Sequence, residues 1–154
     1  MALDIGDKIP DLTLPATGGR DIALRSFKGK VLVVYFYPKD NTPGCTQQGQ
    51  DFRDLYPRFQ QAGADIVGIS RDSVRSHENF AAKFGFPFAL LSDPDEAACR
   101  AFDVIREKTL YGRKYLGVDR STFLFDAKGV LRRVWRGVKV KNHAQAVLDA
   151  LTDL

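Results

Sequence analysis

The chain has 154 residues, 44% of them apolar, enough to bury a core within one domain spanning 1–154. It contains no run of roughly 18 apolar residues, which excludes a membrane-spanning helix. Two cysteines, Cys45 and Cys99, form no C-x-x-C pair, zinc cluster or disulfide scaffold, two histidines are too few to suggest a metal site, and a net charge of +4 is mild.

The start, Met1-Ala-Leu-Asp-Ile-Gly-Asp, has neither a basic segment nor an apolar stretch, so no secretory signal is expected and a cytoplasmic location follows. Residues 11–24 read as a hairpin turning at Gly18-Gly19. Val31 to Tyr37 is apolar without alternation, the mark of a strand buried on both faces. A helix is expected from Thr42, with Thr42 as N-cap and Pro43 at the first helical position. Cys45, Gly49, Phe52, Tyr56 and Phe59 recur at helical spacing and share one face. Pro57 is expected to kink or interrupt this helix and Gly63 to end it.

Asp65 to Ser70 reads as a second buried strand. Asp72 is expected to cap a helix over about 73–84 that Gly85 closes, with Val74, His77, Ala81 and Phe84 on one face. His77 reads as the wet edge of that face. A short strand near Phe88 to Leu91 follows, then a brief helix capped by Asp93, opened by Pro94 and containing Cys99. Residues 106–119 read as a loop. Ser121–Phe125 and Val130–Arg136 pair around a turn at Asp126 to Gly129, and a last helix, about 143–153, begins at His143. The order of elements gives an α/β fold, a mixed central sheet with helices on both faces.

The chemistry concentrates at Tyr37-Pro-Lys-Asp-Asn-Thr-Pro-Gly-Cys45-Thr-Gln-Gln, which joins a buried strand to a helix. Cys45 is then the third helical residue. The first-turn amides have no intrahelical partners, and the helix dipole adds positive potential, so both favour thiolate over thiol. The Thr42 hydroxyl is placed to meet the Cys45 amide or sulfur. Position alone also fits a small hydrophobe packed under a helix start.

Pro38-x-x-x-Thr42-x-x-Cys45 resembles the active-site signature of the peroxiredoxins. The longer string YPKDNTPGCTQQGQDFRD is similar to the bacterioferritin comigratory protein, or Q-type, branch. So are Gly6 to Asp11, LLSDPDEAACRAFDV, YGRKYLGVDRSTFLFD and VWRGVKVKNHAQAVLDAL, which together cover nearly the whole chain. The resemblance implies a thioredoxin-like peroxiredoxin fold with an N-terminal β-hairpin and a thiol peroxidase reducing hydrogen peroxide and organic hydroperoxides. It implies Cys45 as the nucleophile, Thr42 orienting the peroxide, Pro38 shielding the site and Arg120 as the active-site arginine. A fixed cation there would stabilise both the thiolate and the departing oxygen. Gln48, one turn after Cys45, would support the arginine. Neither a metal nor an organic cofactor is needed. Glutaredoxin, thioredoxin or a small thiol would return electrons, and the branch leans towards a monomer.

Relatives in this branch place a second, resolving cysteine at positions that are Gln50 and Ala81 here. An external thiol would therefore resolve the Cys45 sulfenic acid; Cys99 reads most simply as a buried structural thiol, with a resolving role as its alternative. The alternative is a relay that passes oxidation from Cys45 to a partner protein. The basic tint of Lys128, Arg132, Arg133, Arg136, Lys139 and Lys141 would suit nucleic acid, but reads as the solvated side of a half-buried strand, and no nucleic-acid role is expected.

Overall fold

A computed structural model describes residues 3–154; Met1 and Ala2, the opening of the N-terminal stretch read above, lie outside the described residues. The apolar run folds as β3 (Val31–Phe36). It follows a hairpin of β1 (Thr13–Ala16) and β2 (Arg20–Ala23), whose turn has positive φ at Gly18 and Gly19. Then come α1 (Pro43–Gln61), β4 (Ala64–Ser70), α2 (Val74–Phe84), β5 (Ala89–Ser92) and α3 (Ala97–Ala101). A two-stranded ribbon, β6 (Ile105–Leu110) and β7 (Arg113–Val118), precedes the pair β8 (Ser121–Phe125) and β9 (Leu131–Trp135). The last helix is α4 (His143–Ala150).

Seven strands form one sheet in the order β2-β1-β5-β4-β3-β8-β9. β3 and β4 run parallel, as do β4 and β5, while β8 pairs antiparallel with β3. Pleating sends successive β3 residues to opposite faces. Leu32, Val34 and Phe36 enter a core with Ala98, Cys99 and Phe102. Val33, Tyr35 and Tyr37 enter a second core with Cys45, Phe52 and Phe59 from α1, Phe80 from α2 and Val147 from α4. The sheet is thus mixed, with helices on both faces, in a thioredoxin-like arrangement.

Parallel pairing brings the C-terminal ends of β3 and β4 side by side, the Tyr37 amide bonding the Ile69 carbonyl at 3.1 Å. The antiparallel pairing sets Ser121 opposite Phe36, so the residue before β8 also arrives at that end. The site is built there.

Several expectations need correction. Residues 105–118 are a hairpin, not a loop: β6 and β7 pair from Ile105↔Val118 to Leu110↔Arg113, and Tyr111 and Gly112, both at positive φ, make the turn. α1 runs through Pro57 to Gln61, since Phe52, Tyr56 and Phe59 on either side of it are all buried against the sheet. Ser73, not Asp72, caps α2, accepting from the Ser76 amide. α3 begins at Ala97 rather than Pro94. Glu96, not Asp93, holds the N-cap position, because the helix starts later; the Asp93 carboxylate instead accepts from the Ala98 and Cys99 amides from outside the helix. The final helix is α-helical only to Ala150 and closes with a 3-10 turn over Leu151–Asp153.

Candidate active site

Thr42 caps α1 with extended backbone and Pro43 opens the helix, which puts Cys45 in its first turn. The amides of that turn have no carbonyl one turn earlier to bond. The Thr42 hydroxyl does not reach Cys45. It donates to the Lys39 carbonyl at 2.8 Å, a geometry set by the tight turn through Asn41, whose φ is +63°. The Thr42 oxygen keeps its lone pairs and can accept a hydrogen bond. Cys45 is only 2% exposed, packed against the aromatic side of the sheet. Pro38, half-buried, begins the same loop.

Arg120, delivered by the pairing of β8 with β3, completes the constellation. One guanidinium nitrogen, Nη2, lies 3.4 Å from Cys45 Sγ, and Nη1 donates to Gln48 Oε1 at 2.6 Å. Gly44 makes room for it, since a Cβ there would come within 3.1 Å of Nη2. The amide assignment of Gln48 follows from its partner: a guanidinium only donates, so Oε1 must face it. Gln48 Nε2 is buried and meets no acceptor among the described residues. Cys45, Gln48 and Arg120 are therefore brought together, with Thr42 and Pro38 on the loop beside them.

Peroxiredoxin Bcp of Xanthomonas campestris pv. campestris is 59% identical over 141 residues, covering 92% of this chain and 88% of the relative. The AhpC/TSA family pattern matches residues 5–134. This chain is a peroxiredoxin of the AhpC/TSA family.

Other peroxiredoxins agree. Peroxiredoxin Bcp of Bacillus subtilis is 46% identical over 154 residues, covering 100% of this chain and 98% of the relative. Among solved structures, Xanthomonas campestris peroxiredoxin Q superposes with a TM-score of 0.89 at 58% identity, covering 93% of this chain and 90% of that one. A Xylella fastidiosa PrxQ variant superposes at 0.94 with 44% identity, covering 99% and 98%. As a peroxiredoxin, the protein is a thiol-dependent peroxidase.

Cys99, the other thiol, is fully buried in the core on the opposite face of the sheet from Cys45. Burial first, then a hydrogen bond to the Asp93 carboxylate and its charge, push the Cys99 thiol far above its ordinary range, so it stays protonated.

His77 is not a wet edge. It is fully buried, with Nδ1 2.8 Å from Asp40 Oδ2 and Nε2 3.0 Å from the Leu91 carbonyl. Asp40, Asp72 and His77 form a cluster close enough to hold a cation, but each already has hydrogen-bond partners within the protein. Asp40 went unread because its partners lie up to 37 residues away; the only local signal was a second acidic residue, Asp72, just past the parallel strand.

His143 begins α4, as expected, and is also buried, its Nε2 2.8 Å from the Thr122 hydroxyl. Burial, with the Arg120 charge behind it, pushes this imidazole down to about 4.

Proposed function

We propose that Cys45 reduces hydroperoxides in a one-cysteine cycle completed by an external thiol. The Cys45 thiolate attacks one peroxide oxygen, the O–O bond breaks, and the alkoxide or hydroxide leaves and takes up a proton. Cys45 is left as a sulfenic acid. A first external thiol displaces water to give a mixed disulfide, and a second releases Cys45 as an external disulfide forms. Arg120 Nη2 stabilises the thiolate and the charge on the departing oxygen. Thr42, its hydrogen already spent on Lys39, accepts the peroxide O–H and so orients it, while Pro38 shields the site from water.

The observation that carries the one-cysteine reading is the placement of the two thiols. The β-sheet stands between them, whereas a disulfide needs Cα atoms within roughly 7 Å. Two solved variants of the Xanthomonas protein replace one or the other of two cysteines by serine; their spacing, carried from Cys45, lands on Ala81 here. Intact mass after one equivalent of peroxide tests the reading. A gain of one oxygen, trapped by a sulfenic-acid reagent, is expected. A loss of two hydrogens would mean an internal disulfide and end it.

Alkyl peroxide reduction is the activity for which a Xanthomonas campestris bacterioferritin comigratory protein, 55% identical with a TM-score of 0.91, is described. We extend organic hydroperoxides and hydrogen peroxide to this chain as substrates, with glutaredoxin, thioredoxin or a small thiol as reductant. A cytoplasmic monomer without a nucleic-acid role completes the reading. Arg132 bonds Asp126, Arg133 lies over Trp135, and Arg136 bonds the Phe102 and Asp103 carbonyls, so the three arginines of the basic stripe already have partners within the protein. That residues 1–154 act as one domain is supported by a sheet that draws strands from both halves of the chain.

A further inference from the structure

The segment carrying Pro38, Thr42 and Cys45 is anchored at one residue, Asp40. Its carboxylate is 2% exposed and accepts three hydrogen bonds: Tyr37 Oη at 2.6 Å, Ser76 Oγ at 2.7 Å and His77 Nδ1 at 2.8 Å. Its amide donates to Asp72 Oδ2 at 2.9 Å, and Asp72 also accepts from Ser70 Oγ at 2.6 Å. Elements around the site, the end of β3, the end of β4 and the first turns of α2, thus converge on one loop residue.

The hydrogen bonding of the pair follows from its partners. Leu91 O can only accept, so His77 Nε2 carries a hydrogen. Asp40 also accepts: burial works against its charge, but hydrogen bonds from His77, Tyr37 and Ser76 and the charge of His77 prevail and hold its carboxyl below the ordinary range. Nδ1 and Asp40 Oδ2, 2.8 Å apart, then share a hydrogen, and the two side chains form a hydrogen-bonded pair in the interior. Breaking one member of such a pair strands the other, so the pair resists movement of the loop.

We infer that Asp40 and His77 are positioning residues of the peroxidase reaction, holding the loop before α1 so that Thr42 and Cys45 stand in peroxide-reacting geometry. Asp40 is followed by Asn41 in the left-handed region, then directly by Thr42, so the chain's direction into the helix is set at the anchored residue. The anchor affects the two half-reactions in opposite ways. A small peroxide is attacked in the seated conformation. An external thiol is larger, and the 2% exposed sulfur must come outward to meet it. Loosening the anchor misaligns the first step and eases the second.

The inference rests on Cys45 as nucleophile, and the experiment separates the two. His77→Gln, Asp40→Asn and the milder Ser76→Ala are compared with the wild type in single half-reactions. Oxidation by hydrogen peroxide is followed by tryptophan fluorescence, and reaction of the preformed sulfenic acid with dithiothreitol by quenched mass analysis. The expected result is oxidation slowed about tenfold in His77→Gln and Asp40→Asn, with faster reaction with dithiothreitol, and smaller changes of the same sign in Ser76→Ala. Rates that fall together with melting temperature, or folded variants with both rates unchanged, overturn the anchor. Should the two buried-pair variants fail to fold, Ser76→Ala alone decides by the same criterion. If wild-type Cys45 takes up no oxygen at all, it is the assignment of the nucleophile that falls.

Discussion

Arg120 holds the Cys45 sulfur at 3.4 Å with one nitrogen while Gln48 holds its other nitrogen at 2.6 Å. The cation is therefore aimed rather than merely near. A planar guanidinium fixed by one prong has a defined direction for the other, which lysine would not have.

Replacing Arg120 by methionine removes that charge and leaves Gln48 Oε1 without its donor. The attack on peroxide is expected to slow by about a hundredfold, the order found when one aimed donor is lost from a site of developing charge. The rate of Cys45 oxidation by one equivalent of hydrogen peroxide, read by quenched mass analysis, measures it. An unchanged rate would remove Arg120 from the mechanism.

Cys45→Ser should abolish turnover and leave the fold intact. Serine nearly matches the shape of a residue that packs beside Phe52 and Tyr35, but its hydroxyl is not ionised near neutral pH. Peroxide consumption in the presence of excess thiol measures the first half of the statement and a circular-dichroism melt the second. Appreciable turnover would refute it.

Cys99→Ser should retain most of the activity with a small thiol or glutaredoxin as reductant. The Asp93 carboxylate beside it can accept from a serine hydroxyl, so the stability loss should be no more than about 1 kcal/mol. If oxidised wild type shows a Cys45–Cys99 disulfide in non-reducing mass analysis and the variant stalls as sulfenic acid, the one-cysteine cycle is wrong.

His143 makes stability fall between pH 6.5 and about 4. Its folded-state pKa is pushed down to about 4, so over that interval the unfolded chain binds a proton that the folded protein refuses. Folding then loses free energy as pH drops, on the order of 3 kcal/mol at most. His143→Gln, which cannot titrate but can still meet Thr122, should flatten this limb of a melting-temperature profile. An equally steep limb in the variant would assign the loss to other groups.

The parts legible in the sequence are those governed by neighbours along the chain. The unbroken apolar run of β3, the Thr42-Pro43 helix start and the four-three spacing from Cys45 to Phe59 all depend on local rules, and the structure follows them. The ribbon over residues 105–118 escaped because its strands pack little: Leu110, Tyr111, Tyr115 and Leu116 are all exposed, so no apolar alternation marks it. Only the two positive-φ turn residues betray a hairpin. His77 is illegible in the sequence for the opposite reason. A polar residue within a helical apolar face suggests water, and its buried partner Asp40 cannot be seen from either sequence neighbourhood. Thr42 was placed correctly as a cap, but which acceptor its hydroxyl finds depended on the backbone angle at Asn41.

On the one-cysteine cycle proposed above, the sheet between Cys45 and Cys99 also sets how the protein responds to scarcity. A molecule whose second thiol is walled off holds one two-electron oxidation as a sulfenic acid and has no internal disulfide in which to shelter it. Recovery becomes a collision with something outside, first order in the concentration of free thiol. When thiols run short, oxidised molecules wait as sulfenic acids, open to a second peroxide that carries Cys45 irreversibly to the sulfinic state. The architecture thus ties the working lifetime of each copy to the ratio of thiol to peroxide around it.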